Sequence, residues 1–150
     1  MILGIVGWGA PAGVFARLAG DWRLDRRVDG RPLMDGQASY RAGHGGCLTY
    51  HEKGRAHLAG GASFAAERAY LYRQRPTGFA LFFMEDPPRL FHAVALTPRC
   101  DALVGDARHL CAADLYLSHY EFCADGTFST RHDVSGPRKN YALETTYRRG

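Results

Sequence analysis

From Trp22 onward apolar and polar residues alternate with period two, the pattern of strands with one buried face. The alternation predicts strands near 22–28, 36–42, 48–52, 64–73, 79–84, 90–96, 107–112, 114–123, 127–134 and 140–148. Turn-forming runs separate them: Asp29-Gly30-Arg31-Pro32, Gly43-His-Gly-Gly46, Pro76-Thr-Gly78, Asp86-Pro-Pro88, Asp125-Gly126 and Gly136-Pro137, each rich in residues that supply positive φ or a fixed φ. Lys53-Gly54 reads as a break that ends the third strand, and 98–105 as a loop. Ahead of Trp22, Pro11 suits a first helical turn, Val14, Phe15 and Leu18 form an apolar face, and Gly20 ends the helix. Strands joined by short connections predict an all-β fold, a closed antiparallel up-and-down β-barrel with a short N-terminal helix at one end. Residues 1–13 read as a flexible lead and 14–150 as one domain.

Composition changes this picture little. At 150 residues the chain is long enough for a substantial core. The formal charge of +4 is spread along the chain, with short clusters at Arg26-Arg27, Arg138-Lys139 and Arg148-Arg149, so no nucleic-acid partner is expected. No apolar run is long enough for a membrane span, and no membrane partner is expected. The apolar start, Met1 to Gly9, has no basic residue before Arg17 and does not read as a signal peptide. Gly7-Trp-Gly9-Ala-Pro-Ala-Gly13 resembles a phosphate-cradling turn, but no βαβ pattern follows. Cys47, Cys100, Cys111 and Cys123 are widely spaced and read as free thiols in a reducing cytoplasm.

The candidate chemistry lies mostly in the second half. His109 and Cys111 share one strand face, as do Asp114 and Tyr116. The three-residue step from Cys111 to Asp114 reverses the phase. A bulge or tight turn at Ala112-Ala113 would return both pairs to one face. Arg68 has the planar fork to hold a carboxylate or phosphate. Tyr50, Tyr70, Tyr72 and Tyr116 can supply walls and hydroxyl donors, and Lys139 could close an anion site. The competing reading is that Arg68, Glu52, His109 and Asp114 pair with one another inside the barrel. His109-x-Cys111 offers two soft ligands, short of the three or four a zinc site needs, so no metal is expected.

Gly20-Asp-Trp22 after a short helix resembles the Gly-x-Trp that begins lipocalin-like (calycin) barrels. In those the Trp packs across one barrel end beneath an Arg of the last strand, here Arg148 or Arg149. The fuller pattern is Leu48-x-Tyr50-x-Glu52-x-Gly54, Arg68-x-Tyr70, Phe91-His92, His109-x-Cys111-x-x-Asp114-x-Tyr116, Gly136-Pro-x-Lys139-x-Tyr141 and Thr146-Tyr147-Arg148. In this order it resembles domain-of-unknown-function family 6314, a bacterial group. The chain departs from that pattern in having no Trp between Phe128 and His132, and Asn140 where an Asp is expected. The resemblance implies a lipocalin-like barrel and no particular activity. Some such barrels hold haem through one His, for which His92 or His109 would serve; the polar inner face argues against it, and no cofactor is expected.

Three functions fit these residues. The first is binding of a small polar or anionic ligand by Tyr50, Glu52, Arg68, Tyr70, His92, His109, Asp114, Tyr116 and Lys139. The second is an enzyme with His109 and Asp114 as an acid–base pair. The third is a structural or interaction module with a filled core, including a homodimer through Phe79–Met84.

Overall fold

The structure is a computed structural model and describes residues 7–150; the part of the expected lead that falls on 1–6 lies outside it. A 3₁₀ turn, Pro11–Gly13, runs into a short helix α1, Val14–Leu18. Eleven strands follow: β1 Gly20–Val28, β2 Arg31–Ala42, β3 Leu48–His57, β4 Ser63–Arg75, β5 Gly78–Phe83, β6 Arg89–Ala95, β7 Thr97–Arg99, β8 Ala102–Cys111, β9 Asp114–Cys123, β10 Phe128–Ser135 and β11 Asn140–Arg149. They form one antiparallel sheet in the order β6-β5-β4-β3-β2-β1-β11-β10-β9-β8-β7. The barrel is nearly closed: β6 packs beside β8 without a hydrogen-bonded ladder.

Two differences from the sequence reading have local causes. The expected loop at 98–105 contains β7 and the start of β8, and makes the count eleven. β7 pairs with Val104 to Ala102 even though Pro98 supplies no N–H, as an edge strand allows. The expected break at Gly54 is absent, and β3 runs on to His57. Gly54 stands opposite Gly36 on β2, and a Cβ on it would come within 2.0 Å of the Asp35 carbonyl oxygen. Glycine here permits close approach of two backbones within a continuous strand.

One end of the barrel is plugged. Trp22 stacks on Trp8 with centroids 5.8 Å apart, and Phe128 meets Trp22 edge-on at 4.9 Å. The Trp22 indole donates to the Leu18 carbonyl at 2.8 Å, which ties α1 across the opening. The Arg149 guanidinium lies 3.9 Å from the Trp22 ring centroid and donates to the Ala19 carbonyl. Trp8 is as buried as Trp22, so the segment before the helix contributes this one residue to the core. Phe79, Ala80 and Leu81 are also buried. Of the run considered as a dimer face, Met84 is exposed and Phe82 half-buried.

The other end is open. There the hairpin between β8 and β9 pairs Cys111 with Asp114 and His109 with Tyr116. Ala112-Ala113 is thus a two-residue turn, with Ala112 at φ 55°. It restores the phase that the three-residue step disturbs.

Candidate functional site

Beneath the open end lies a buried polar network. Arg26 grips Glu52 with both arms, Nη1 to Oε2 at 2.7 Å and Nη2 to Oε1 at 2.8 Å. The Tyr50 hydroxyl donates to Oε1 of Glu52 at 2.5 Å and lies 2.9 Å from the Tyr147 hydroxyl. Nε of Arg26 donates to Thr145 Oγ1 at 2.8 Å. Register explains the assembly: Ala38 stands opposite both Trp22 and Glu52, and Met34 opposite Arg26, so the inner faces of β1 and β3 meet across β2. Burial by itself would raise the Glu52 pKa; the Arg26 hydrogen bonds and charge, helped by Tyr50 and Arg68, hold it below its ordinary value. Arg26 is raised above the ordinary arginine value: burial opposes its charge, and Glu52 and the neighbouring tyrosines outweigh that. Glu52 is therefore saturated by its partners.

Above this network a pocket of about 320 Å³ opens toward solvent. Its walls are aromatic, and Phe91 is their hub. Phe91 stacks on Phe83 at 4.8 Å and meets His109 and Tyr116 edge-on at 5.0 and 5.9 Å. Tyr70 and His132 stand 6.3 and 6.2 Å from it. A register shift between Leu81 and Phe82 leaves Phe91 without a directly opposed residue on β5. That bulge lets Phe91 and His92, neighbours in sequence, both be buried. A smaller cavity of about 30 Å³ beneath shares Arg68, Tyr70, Phe91, His132 and Leu143 with the pocket and reaches down to Arg26 and Glu52.

Arg68 stands at the mouth with its guanidinium 5.9 Å from the Tyr70 ring centroid. Among the described residues it has no carboxylate within ion-pair distance. The neighbouring cations are engaged: Arg89 holds Glu85 at 2.8 Å, and Lys139 holds Asp114 at 3.1 Å. No acidic or amide side chain lines the pocket.

The histidines differ in environment. His132 lines both cavities, and its Nδ1 sits 2.7 Å from Ser118 Oγ. Burial, then the charges of Arg26 and Arg68, push its pKa down to about 4. His92 lies outside the pocket lining, with Nε2 2.7 Å from the Tyr120 hydroxyl. Burial, then His132 and His109, push its pKa down to about 3. Nδ1 of His92 and Nε2 of His109 are buried with no hydrogen-bond partner among the described residues. No group of three or more His, Cys, Asp and Glu among the described residues could hold a metal ion.

Of the residues singled out from sequence, Arg68, Tyr70, His109, Cys111 and Tyr116 line the pocket. Tyr50 and Glu52 belong to the network below it. Asp114 does not line the pocket. It stands beside Gly136, where a Cβ would lie 2.1 Å from its Oδ1, and its charge is taken by Lys139 rather than His109. Lys139 in turn sits 5.9 Å from the Tyr116 ring centroid. The sequence reading overlooked Arg26 and His132. Both are in phase with inward neighbours, Trp22 and Leu24 for Arg26, Phe128 and Thr130 for His132, and that phase was the available signal. Arg89, Phe83 and Tyr141 also line the pocket.

These features define an all-β barrel with one plugged end and, at the other, an aromatic-walled pocket carrying an unpaired arginine. The chain belongs to the family of unknown function DUF6314, whose model matches residues 18–149. No curated protein matches it. No helix among the described residues is long and apolar enough to cross a membrane.

Proposed function

We propose that the protein binds one small organic anion in the open half of its barrel, in the manner of a lipocalin-like carrier, within the reducing cytoplasm of a bacterium. The observation that carries the reading is the contrast between two inward arginines. Arg26 is neutralised by a two-armed carboxylate, whereas Arg68, opposite Glu52 on the neighbouring strand, has no carboxylate of the described residues within ion-pair distance, because Glu52 is turned to Arg26. Arg68 is exposed at the mouth of the pocket, where its charge draws an anion toward the ring-lined interior behind it. Pockets of this volume fall at the small end of ligand sites. The acid–base alternative would need His109 and Asp114 to act together, and Asp114 is committed to Lys139.

The test is a titration of ¹⁵N-labelled protein with a mixed panel of small organic anions: aliphatic and aromatic carboxylates, a sulfonate and a phosphate monoester. Saturable shifts centred on residues 68, 70, 91, 109, 116 and 132 are expected with at least one of them. Arg68→Gln should weaken that binding at least tenfold. Shifts scattered over the surface, no shifts at all, or equal affinity in Arg68→Gln would each overturn the proposal.

A further inference from the structure

Resting on that reading, we infer that the pocket is built for an aromatic monocarboxylate, with its carboxylate on Arg68 and its ring packed against Phe91 among Tyr70, His109 and Tyr116.

The charge of the ligand follows from counting which cations are free. Three arginines line the two cavities, Arg26, Arg68 and Arg89, and Lys139 adjoins the lining at Tyr116. Arg26 is held by Glu52, Arg89 by Glu85 and Lys139 by Asp114. Arg68 has no such partner among the described residues. The lining histidine whose protonation is clearly perturbed, His132, is driven toward its neutral form by burial and by the two arginines. One uncompensated positive charge calls for one negative charge. A phosphate monoester brings close to two, and the second would have to be desolvated among rings with no cation to meet it. A carboxylate also matches the guanidinium fork with two parallel hydrogen bonds.

The body of the ligand follows from the walls. Seven of the eleven lining residues are rings: Tyr70, Phe83, Phe91, His109, Tyr116, His132 and Tyr141. They present edges and faces at 4.8 to 6.3 Å from Phe91 where they adjoin it, the spacing at which aromatic groups attract beyond simple area burial. The volume equals roughly ten water molecules at about 30 Å³ each, which suits one or two fused rings and leaves no room for a long acyl chain. Nε2 of His109 is buried beside these rings without a partner among the described residues, at a cost that a ring hydroxyl on the ligand would relieve.

Calorimetry or NMR titration with benzoate, 4-hydroxybenzoate, 2-naphthoate, benzamide, cyclohexanecarboxylate and phenyl phosphate tests the inference. The aromatic carboxylates should bind at one site. Benzamide and cyclohexanecarboxylate should each be at least tenfold weaker than benzoate, and phenyl phosphate no tighter. Arg68→Lys, which keeps the charge and loses the fork, should cost about tenfold, and Phe91→Leu should reduce the preference for benzoate over cyclohexanecarboxylate. Circular dichroism would show that both variants fold. Equal affinity for benzoate and cyclohexanecarboxylate would overturn the aromatic assignment and leave the anion site standing. Tenfold tighter binding of phenyl phosphate would overturn the single charge. Absence of any binding by the five acids would overturn both readings together.

Discussion

Replacing Glu52 with glutamine keeps the shape of the side chain and removes its charge. In the native barrel the carboxylate accepts both arms of Arg26 and the Tyr50 hydroxyl, with side-chain exposures of 9% for Arg26 and 3% for Glu52. Glutamine leaves a buried guanidinium without a counter-charge and turns one amide N–H₂ toward it. Loss of one partner from a buried pair costs about 3–5 kcal/mol. For a chain of this length each kcal/mol moves Tm by about 2–4 °C, so a fall of roughly 6–20 °C is expected. The Arg26→Met/Glu52→Leu double variant should recover most of the loss, because the buried cation disappears with its partner. Tyr50 and Tyr147 still have each other at 2.9 Å, so Thr145 is the main group left unpaired. Urea denaturation of wild type, Arg26→Met, Glu52→Leu and the double gives the coupling directly. Acidity adds a second check. The folded-state pKa of Glu52 lies below the ordinary 4.5. Its stabilisation is therefore full above that value and is lost as pH falls through the folded-state pKa. The gap between wild type and Glu52→Gln should close on acidification. A Glu52→Gln loss below about 1 kcal/mol at pH 7, or a gap that widens in acid, would refute the assignment of this pair as the hub of the interior.

The buried histidines predict a separate acid sensitivity. With folded-state pKa values of about 3 for His92 and about 4 for His132 against an ordinary 6.5, the stability tied to their neutral forms is full above 6.5 and falls as pH drops toward the folded values. His132→Gln should flatten the stability profile between pH 6.5 and 4, measured by urea midpoints at each pH; an unchanged slope would contradict its burial in neutral form. Gly136→Ala would push a methyl against the Asp114 carboxylate, displace it from Lys139 and cost up to about 1 kcal/mol, the worth of a partly exposed ion pair, readable as a slightly lower melting temperature. Ala112→Gly should do the opposite, raising stability by about 0.5–1 kcal/mol by relieving the left-handed backbone at that residue; a lower midpoint would argue against the two-residue turn.

The barrel was legible because its signal is repeated. Period two recurs along the chain, most clearly in β1 and β3, and turns carry their own chemistry, such as Asp29 and Gly30 both at positive φ. The turn at Ala112-Ala113 was legible for another reason: two pairs of polar residues in opposite phase need a correction between them. Arg26 was not, because a charged residue in a strand defaults to the solvent face, and its partner is 26 residues away. Glu52 was placed inside without its true partner for the same reason. β7 was hidden because Pro98 argues against a strand, and only a position at the end of the sheet makes it tolerable. The pocket's centre, Phe91, depended on a bulge that shows only when β5 and β6 are paired.

The missing ladder between β6 and β8 has a consequence for how the molecule can change size. At the plugged end the chain passes from β6 through Leu96 into β7, which zips onto β8. Gly105 marks the junction, where a Cβ would press within 2.6 Å of the Ala95 carbonyl oxygen. From there toward the open end two free strand edges face each other like the lips of a slit, fastened by side chains. Phe91 belongs to one lip and His109 to the other. Among the described residues no backbone ladder joins them, so parting them breaks ring contacts first. The circumference of this vessel is therefore adjustable along its wall, at the place where its contents would lie.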